Sequence, residues 1–167
     1  MLYFAYGSNL DPAQMQQRCP GHRVVGLAAL QDHRLAFPVY SSDWGGGVAG
    51  PVLAHGRQVW GVLYELSDDL VAALDDFEGY RGRGDQHNFY DRETITVDLV
   101  RPDDGSVPRR VRAAAYFPHF SSPSPPSRAY LDTILRGAVH HRFPVDYLEG
   151  LRSVEVAGES ASPAAGA

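Results

Sequence analysis

Glu78 is an acidic residue whose position could give it chemistry to do. It follows residues 67–77, which begin with Ser-Asp-Asp and carry apolar residues at helical spacing, so we predict a helix that ends at Glu78. The partial negative charge at a helix C-terminus disfavours a carboxylate there, and an apolar pocket would raise its pKa further. Such a carboxyl group suits general acid–base catalysis near neutral pH. On the residues alone, a solvated residue at the helix end is the commoner outcome, and both interpretations stay open.

A turn near the N-terminus is the second candidate. Residues 2–6 are apolar and predict a buried strand, Gly7-Ser8-Asn9 predicts a turn, and Asp11-Pro12 predicts a helix start. Backbone N–H groups without partners gather at such a junction, and a residue without a Cβ lets a ligand approach them. The turn could therefore hold a carboxylate, or a carbonyl oxygen that gains negative charge. A purely structural corner is the alternative.

Several aromatic residues could either fill the core or line a pocket. Tyr130 lies on the apolar stripe of a predicted helix, where a tyrosine more often packs in the core than binds a ligand. Tyr6, Tyr64 and Tyr90 have the same two interpretations. Trp44 precedes a run of glycines and could form a pocket wall.

Other kinds of site find little support. Cys19 with His22 is too isolated a pair to indicate a nucleophile, and the seven histidines show no metal-binding spacing. The glycines at 45–47 lack the lysine of a phosphate-binding loop. We therefore expect neither a metal nor a cofactor.

Composition narrows the class of protein. The 167 residues fit one domain, 44% of them are hydrophobic, and the formal net charge is −5 with no lysine and no basic run. We therefore expect no nucleic-acid partner, because phosphate binding needs clustered cations. A single cysteine excludes an internal disulfide, and no signal peptide or membrane span is visible, so we expect a cytoplasmic protein.

Periodicity and turn residues predict more strands than helices. We predict strands at 2–6, two within 22–38, then 58–66, 90–100 and 111–117, and helices at 12–18, 67–78, 127–142 and 144–151. The predicted irregular segments are loops at 41–51 and 80–88, the second of them mobile, a turn at 102–105 and a linker at 120–127. This pattern indicates an α+β fold with a mixed, mostly antiparallel sheet and helices outside it. We place the domain at 1–153 and a disordered Ala/Gly/Ser/Pro tail at 154–167.

An ordered set of motifs resembles the γ-glutamylcyclotransferase-like (AIG2-like) family. The motifs are YFAYGSNL (3–10), WGGGVA (44–49), VWGVLY (59–64), LDDFEGY (74–80), YDR (90–92) and PSRAYL (126–131), followed by Gly137-Ala138. They extend over residues 2–151, and their shared order is more specific than any one of them.

This resemblance implies a small β-barrel flanked by helices, and an enzyme that releases 5-oxoproline and a free amine from a γ-glutamyl amino acid or amide. It implies that Glu78 is the catalytic base and acid, without metal or cofactor. It implies a substrate-binding set made of Tyr3, Phe4, Ala5, Tyr6, Gly7, Ser8 and Tyr130. The polar loop at 81–88 departs from the family pattern. The resemblance therefore does not define the pocket for the leaving group.

The expected partner is therefore a small γ-glutamyl molecule, with no nucleic acid and no membrane, and the protein is expected to be a monomer or homodimer. Three alternatives remain: a binding module that keeps the pocket without turnover, and a cyclotransferase for either a γ-glutamyl amine or a biosynthetic acyl chain.

Overall fold

The computed structural model describes residues 1–100 and 109–158. The strands are β1 Leu2–Ala5, β2 Arg23–Ser41, β3 Gly46–Glu65, β4 Tyr90–Leu99 and β5 Arg109–Pro118. The helices are α1 Pro12–Arg18, α2 Asp68–Phe77, α3 Arg128–His140 and α4 Val145–Arg152, with a 3-10 turn at Ser8–Leu10.

The five strands form a closed barrel in the order β1-β3-β2-β4-β5. β1 pairs antiparallel with β3 and closes the ring by a parallel contact with β5, where Tyr3 is opposite Ala114. All other neighbours are antiparallel. The predicted α+β fold with a mixed, mostly antiparallel barrel is confirmed, and the helices flank it.

The β2–β3 hairpin is much longer than predicted. Residues 22–38 do not form two strands, because β2 runs without a break through Asp32, where φ of 56° and a register shift mark a bulge. The polar run that suggested a turn therefore only bends the strand.

The predicted glycine-rich loop at 41–51 is also mostly strand. The reverse turn occupies only residues 42–45, and β3 begins at Gly46. The glycines there serve packing, since a Cβ on Gly47 would lie 1.9 Å from the Ser124 carbonyl oxygen. The Gly47 N–H also donates to the Pro125 carbonyl at 2.8 Å, so the linker lies directly on the strand.

The β4–β5 hairpin has the predicted antiparallel register, from Tyr90 opposite Pro118 to Leu99 opposite Arg109. The turn predicted at 102–105 lies outside the described residues. The loop at 80–88 is held by Asn88, whose side chain is fully buried. Its Oδ1 accepts from the Arg81 N–H, and its Nδ2 donates to the Gly82 carbonyl, both at 2.8 Å.

The four helices lie close to the predicted positions. The residue after α2 is Glu78, and Gly79 takes φ of 64°, a conformation that suits glycine and stops the helix. Ser127 precedes α3, and its side chain accepts a hydrogen bond from the Tyr130 N–H at 3.3 Å.

The start of the predicted tail packs on the domain. Val156 is 5% exposed, and the Ala157 N–H donates to the Pro126 carbonyl at 2.8 Å. The rest of the tail, residues 159–167, lies outside the described residues. Among the described helices, none has the length and apolar character needed to cross a bilayer.

Helix α3 supports the N-terminal turn through direct backbone contact. A Cβ on Gly137 would lie 2.2 Å from the carbonyl carbon of Leu10 and 2.5 Å from the backbone nitrogen of Asp11. Only a glycine allows this approach, so the packing of α3 against the backbone of Leu10 and Asp11 fixes the position of the turn.

We expect Gly137→Ala to destabilise the protein by about 1–3 kcal/mol, because the new methyl group must push backbone away. In a solvent-facing helix the same change normally stabilises by about 0.5–1 kcal/mol. Gly150→Ala in α4 is the matched control, since its Cβ would meet nothing within 4 Å. Urea unfolding of both variants should give opposite signs, and a stabilised Gly137→Ala would contradict the close packing.

Candidate functional site

A cavity of about 470 Å³ opens where the N-terminal turn, the end of α2, the tip of the β2–β3 hairpin and α3 meet. Most of its wall is aromatic or hydroxyl-bearing. Its lining includes Tyr3, Tyr6, Gly7, Ser8, Asn9, Arg18, Tyr40, Asp43, Trp44, Ala49, Asp76, Glu78, Phe89, Tyr90, Tyr116 and Tyr130.

Glu78 faces this cavity from the end of α2. Its side chain is only 14% exposed, and its N–H continues the helical pattern by donating to the Leu74 carbonyl at 2.9 Å. Its Oε1 accepts from Asn9 Nδ2 at 2.9 Å and from Arg18 Nη1 at 3.3 Å. The predicted helix-end acid is therefore turned toward the N-terminal turn and away from bulk solvent.

Burial raises the pKa of the Glu78 carboxyl above its usual range. The Arg18 guanidinium and the Asn9 hydrogen bond both lower this pKa, but burial prevails. A carboxyl group with a raised pKa can both accept and return a proton near neutral pH.

Asn9 links Glu78 to the turn and uses both ends of its amide. Nδ2 also donates to the Tyr3 hydroxyl at 2.9 Å, while Oδ1 accepts from Gln14 Nε2 at 3.1 Å and from Arg18 Nη1 at 3.0 Å. With its side chain 4% exposed and engaged on every side, Asn9 holds one orientation. Sequence reasoning placed Asn9 in the turn but assigned it no site role, and it missed Gln14 and Arg18.

Two tyrosines in the cavity wall are hydrogen-bonded to the backbone of Ala49. The Tyr130 hydroxyl accepts from the Ala49 N–H at 2.9 Å, and the Tyr90 hydroxyl donates to the Ala49 carbonyl at 3.0 Å. Burial raises the pKa of Tyr130, so its hydroxyl keeps its proton. A Cβ on Gly7 would lie 3.1 Å from the Tyr130 oxygen, which shows how closely the turn approaches α3.

Aromatic contacts complete the walls. The Trp44 ring meets the Tyr130 ring edge-on at 4.9 Å between centroids, so the hairpin tip forms one side. Tyr116 donates to Asp75 Oδ1 at 2.7 Å, and Tyr6 donates to the Tyr116 carbonyl. These bonds fix the rings on the barrel side of the cavity.

The predicted site residues divide into two groups. Those that line the cavity are Glu78, Tyr3, Tyr6, Gly7, Ser8 and Tyr130. Phe4 and Ala5 are completely buried and do not line it. A Cβ on Gly61 would meet both the Phe4 ring and the Ala5 carbonyl oxygen at 2.4 Å, so these two residues back the turn from within the barrel.

Tyr64, which the sequence left as a candidate, and Cys19, which it did not favour as a nucleophile, lie elsewhere. Tyr64 donates from its hydroxyl to the Asn9 carbonyl at 3.2 Å and supports the turn from below without lining the cavity. Cys19 is buried, its Sγ lies 3.7 Å from the Leu70 carbonyl, and burial raises its thiol pKa. The loop at 81–88 contributes no residue to the lining.

A family model described as "Gamma-glutamyl cyclotransferase, AIG2-like" matches residues 3–132, which carry both the turn and Glu78. The chain belongs to this family. The resemblance seen in the motifs is thereby confirmed.

Similar proteins extend the likeness over most of the chain. Proteins named Gamma-glutamylcyclotransferase from mouse and from human are each 30% identical over 159 residues, which is 92% of this chain and 78% of theirs. A solved structure titled Gamma-glutamyl cyclotransferase superposes with a TM-score of 0.84 at 27% identity, covering 97% of this chain and 92% of that one. The family fold is therefore present nearly in full.

The raised pKa of Glu78 makes the stability of the protein depend on pH. Above its folded-state pKa the buried charge destabilises the fold, and protonation on lowering the pH removes this cost. We expect Glu78→Gln to be more stable than the unaltered protein at pH 7, because the amide carries no charge. Urea unfolding from pH 8 to 4 should show the gap shrinking through that pKa and levelling off below the ordinary value of 4.5. A gap that widens as the pH falls would show that the carboxylate is stabilised by its surroundings.

Proposed function

We propose that this chain is a γ-glutamylcyclotransferase, which converts a γ-glutamyl amino acid or amide into 5-oxoproline and a free amine. The observation that carries the proposal is the placement of the Glu78 carboxyl, which is hydrogen-bonded to Asn9 and lines the same cavity of about 470 Å³ as Gly7 and Ser8 of the N-terminal turn. A coiled glutamyl chain is small enough to occupy such a space between the acid and the backbone of the turn.

In the proposed reaction the substrate closes a ring on itself. Glu78 removes a proton from the α-ammonium, and the neutral amine attacks the γ-carbonyl carbon. A C–N bond forms, and the carbonyl electrons move onto oxygen. When that oxygen reforms its double bond, the old C–N bond breaks and the leaving nitrogen takes the proton from Glu78. The ring nitrogen still carries two hydrogens after the attack, so Glu78 also passes one of these to the released amine, which leaves as an ammonium ion. The carboxylate is regenerated, and neither water nor a metal takes part.

The backbone of the N-terminal turn carries most of the proposed binding role. We assign the amides of Gly7 and Ser8 to the α-carboxylate and the developing oxyanion, because a strand end that meets a helical turn presents N–H groups on one side. Tyr3, Tyr6 and Tyr130 would contact the glutamyl chain, with Phe4 and Ala5 behind them. The hydroxyl of Tyr130 keeps its proton and can donate.

Ring closure within one molecule reduces the protein's task to holding a folded substrate. Well-oriented intramolecular reactions gain roughly 7–11 kcal/mol from positioning alone. The closely packed walls around Ala49 fit this demand, since Tyr90 and Tyr130 are both hydrogen-bonded to its backbone and cannot swing freely.

We propose a small γ-glutamyl molecule as the partner, a cytoplasmic location, and a monomer or homodimer. The leaving group remains a choice between an amino acid, an amine and a biosynthetic acyl chain. A binding module without turnover is the alternative function. The buried Glu78 carboxyl, whose pKa is raised, argues against it.

We expect the protein to release 5-oxoproline from γ-glutamyl-alanine or from another γ-glutamyl amide in a broad panel. Glu78→Gln should lower kcat by about 10²–10⁴, the usual contribution of general acid–base catalysis. Glu93→Gln is the matched control, because Glu93 is exposed on β4 and should leave the rate unchanged. Product is measured by chromatography, and a fully active Glu78→Gln would remove this residue from the mechanism.

Glu78→Gln should still bind the substrate, since the turn and the tyrosines are intact. We expect calorimetric titration of this variant with γ-glutamyl-alanine to give a dissociation constant within about tenfold of the KM of the unaltered protein, a range of ~1.4 kcal/mol. Binding by the unaltered protein without product, across the whole panel, would favour the binding module.

A further inference from the structure

Both hydrogen bonds to the Glu78 carboxyl end on the same oxygen. Asn9 Nδ2 lies 2.9 Å from Oε1, and Arg18 Nη1 lies 3.3 Å from the same atom. Oε2 accepts no hydrogen bond from any residue that the structure describes. The two oxygens therefore have different surroundings, although they are chemically equivalent in a free carboxylate.

Arg18 is itself fixed by three contacts. Its Nη1 also donates to Asn9 Oδ1 at 3.0 Å, and its guanidinium carbon lies 5.2 Å from the centroid of the Phe77 ring. Its side chain is 18% exposed. Such a guanidinium, stacked on a ring and bonded on its edge, cannot easily move away when the charge on Glu78 changes.

We propose that Arg18 is a positioning residue which, together with Asn9, holds Oε1 of Glu78 and leaves Oε2 as the oxygen that accepts and returns the proton. This inference rests on the proposed function, in which Glu78 is the base. It adds that the direction of proton transfer is set by an arginine 60 residues away in sequence.

The other groups that face Glu78 keep their protons in the working pH range. They are Tyr3 from β1, Tyr6 directly after it, Tyr90 from β4, Tyr116 from β5, Tyr130 from α3, and Cys19 at the end of α1. Burial raises the pKa of each of them, so none adds a negative charge beside Glu78 near neutral pH.

Besides Glu78, three charged groups line the cavity: Arg18 from α1, Asp76 from α2, and Asp43 from the hairpin tip, which is exposed. Asp76, two residues earlier on α2, lines the cavity with an exposed side chain, where solvent weakens its effect. Arg18 is the one cation among the described lining residues. Its removal should therefore raise the pKa of Glu78 further, because burial would act with less opposition.

The test compares Arg18→Gln, Arg18→Met and Arg18→Lys. Gln and Met remove the charge, and Met keeps an aliphatic stem against Phe77 in case the shorter polar chain unsettles the fold. We expect both to lower kcat/KM at pH 7 by about 10- to 100-fold, as a misplaced catalytic group does. We also expect the acid limb of the pH profile to move to higher pH, because the base must be deprotonated to act.

Arg18→Lys keeps the charge but loses the planar guanidinium that packs on the Phe77 ring. It should leave the acid limb near its original position while kcat falls, since one ammonium group is less suited than a guanidinium to hold Glu78 and Asn9 together. Arg23→Gln is the matched control. It removes an arginine from an exposed ion pair with Glu65, away from the cavity, and should change neither kcat/KM nor the acid limb.

A direct titration separates this inference from the proposed function. Carbon-13 spectra of the glutamate side-chain carboxyls, with Glu78 assigned by the signal missing in Glu78→Gln, should show Glu78 titrating at higher pH in Arg18→Gln and Arg18→Met. An unaltered protein that yields no 5-oxoproline would defeat the proposed function alone. Unchanged titration and an unchanged acid limb, in a protein that turns over, would overturn the role of Arg18.

Discussion

The contact between Asn9 and Glu78 is the interaction on which the site depends. It joins residues 69 positions apart and ties the end of α2 to the N-terminal turn. A buried carboxylate needs hydrogen bonds or a nearby cation to remain in a folded protein. Asn9 and Arg18 provide both, and each of them is held in turn by further contacts. One side of the cavity is therefore charged, and contacts within the protein hold Glu78 and Arg18 in place there.

Barrel closure makes this contact possible. β1 is short, yet it pairs with β3 on one side and meets β5 on the other, so the turn that follows it has little freedom. Gly137 brings α3 against the same turn from above, and Tyr64 supports the Asn9 carbonyl from below. The turn is therefore fixed from several directions, as a preorganised binding surface should be.

The features that sequence could predict are those encoded locally. The helix that ends at Glu78 follows from its apolar spacing, its Ser-Asp-Asp start and the glycine after it, and the turn follows from Gly7 between a strand and a helix start. The long β2–β3 hairpin was wrongly predicted because its two unusual features resemble loops. A bulge at Asp32 accommodates polar residues within a strand. The glycines at 46–47 are needed because the linker packs directly against their backbone and leaves no room for a Cβ.

The role of Arg18 could not be predicted in the same way. A basic residue in the last turn of a helix is normally explained by the helix dipole, and nothing near it in sequence says otherwise. Only the fold brings the end of α1 beside the end of α2. The role of Arg18 therefore depends on the three-dimensional arrangement of the two helices, which the local sequence does not encode. The role of Gln14, whose amide completes the network around Asn9, could not be predicted for the same reason.

The electrostatics of the cavity reflect two opposed demands on one carboxyl group. Burial alone would raise the pKa of Glu78 further, and a protonated acid cannot take a proton from an ammonium. A fully exposed ion pair would hold the negative charge so well that the group would be a weak base. The arrangement lies between these limits, because one guanidinium and one amide offset part of the burial while the surrounding tyrosines stay neutral. Catalysis by one carboxyl group in both directions requires such a balance, since the proton it takes must also be given back.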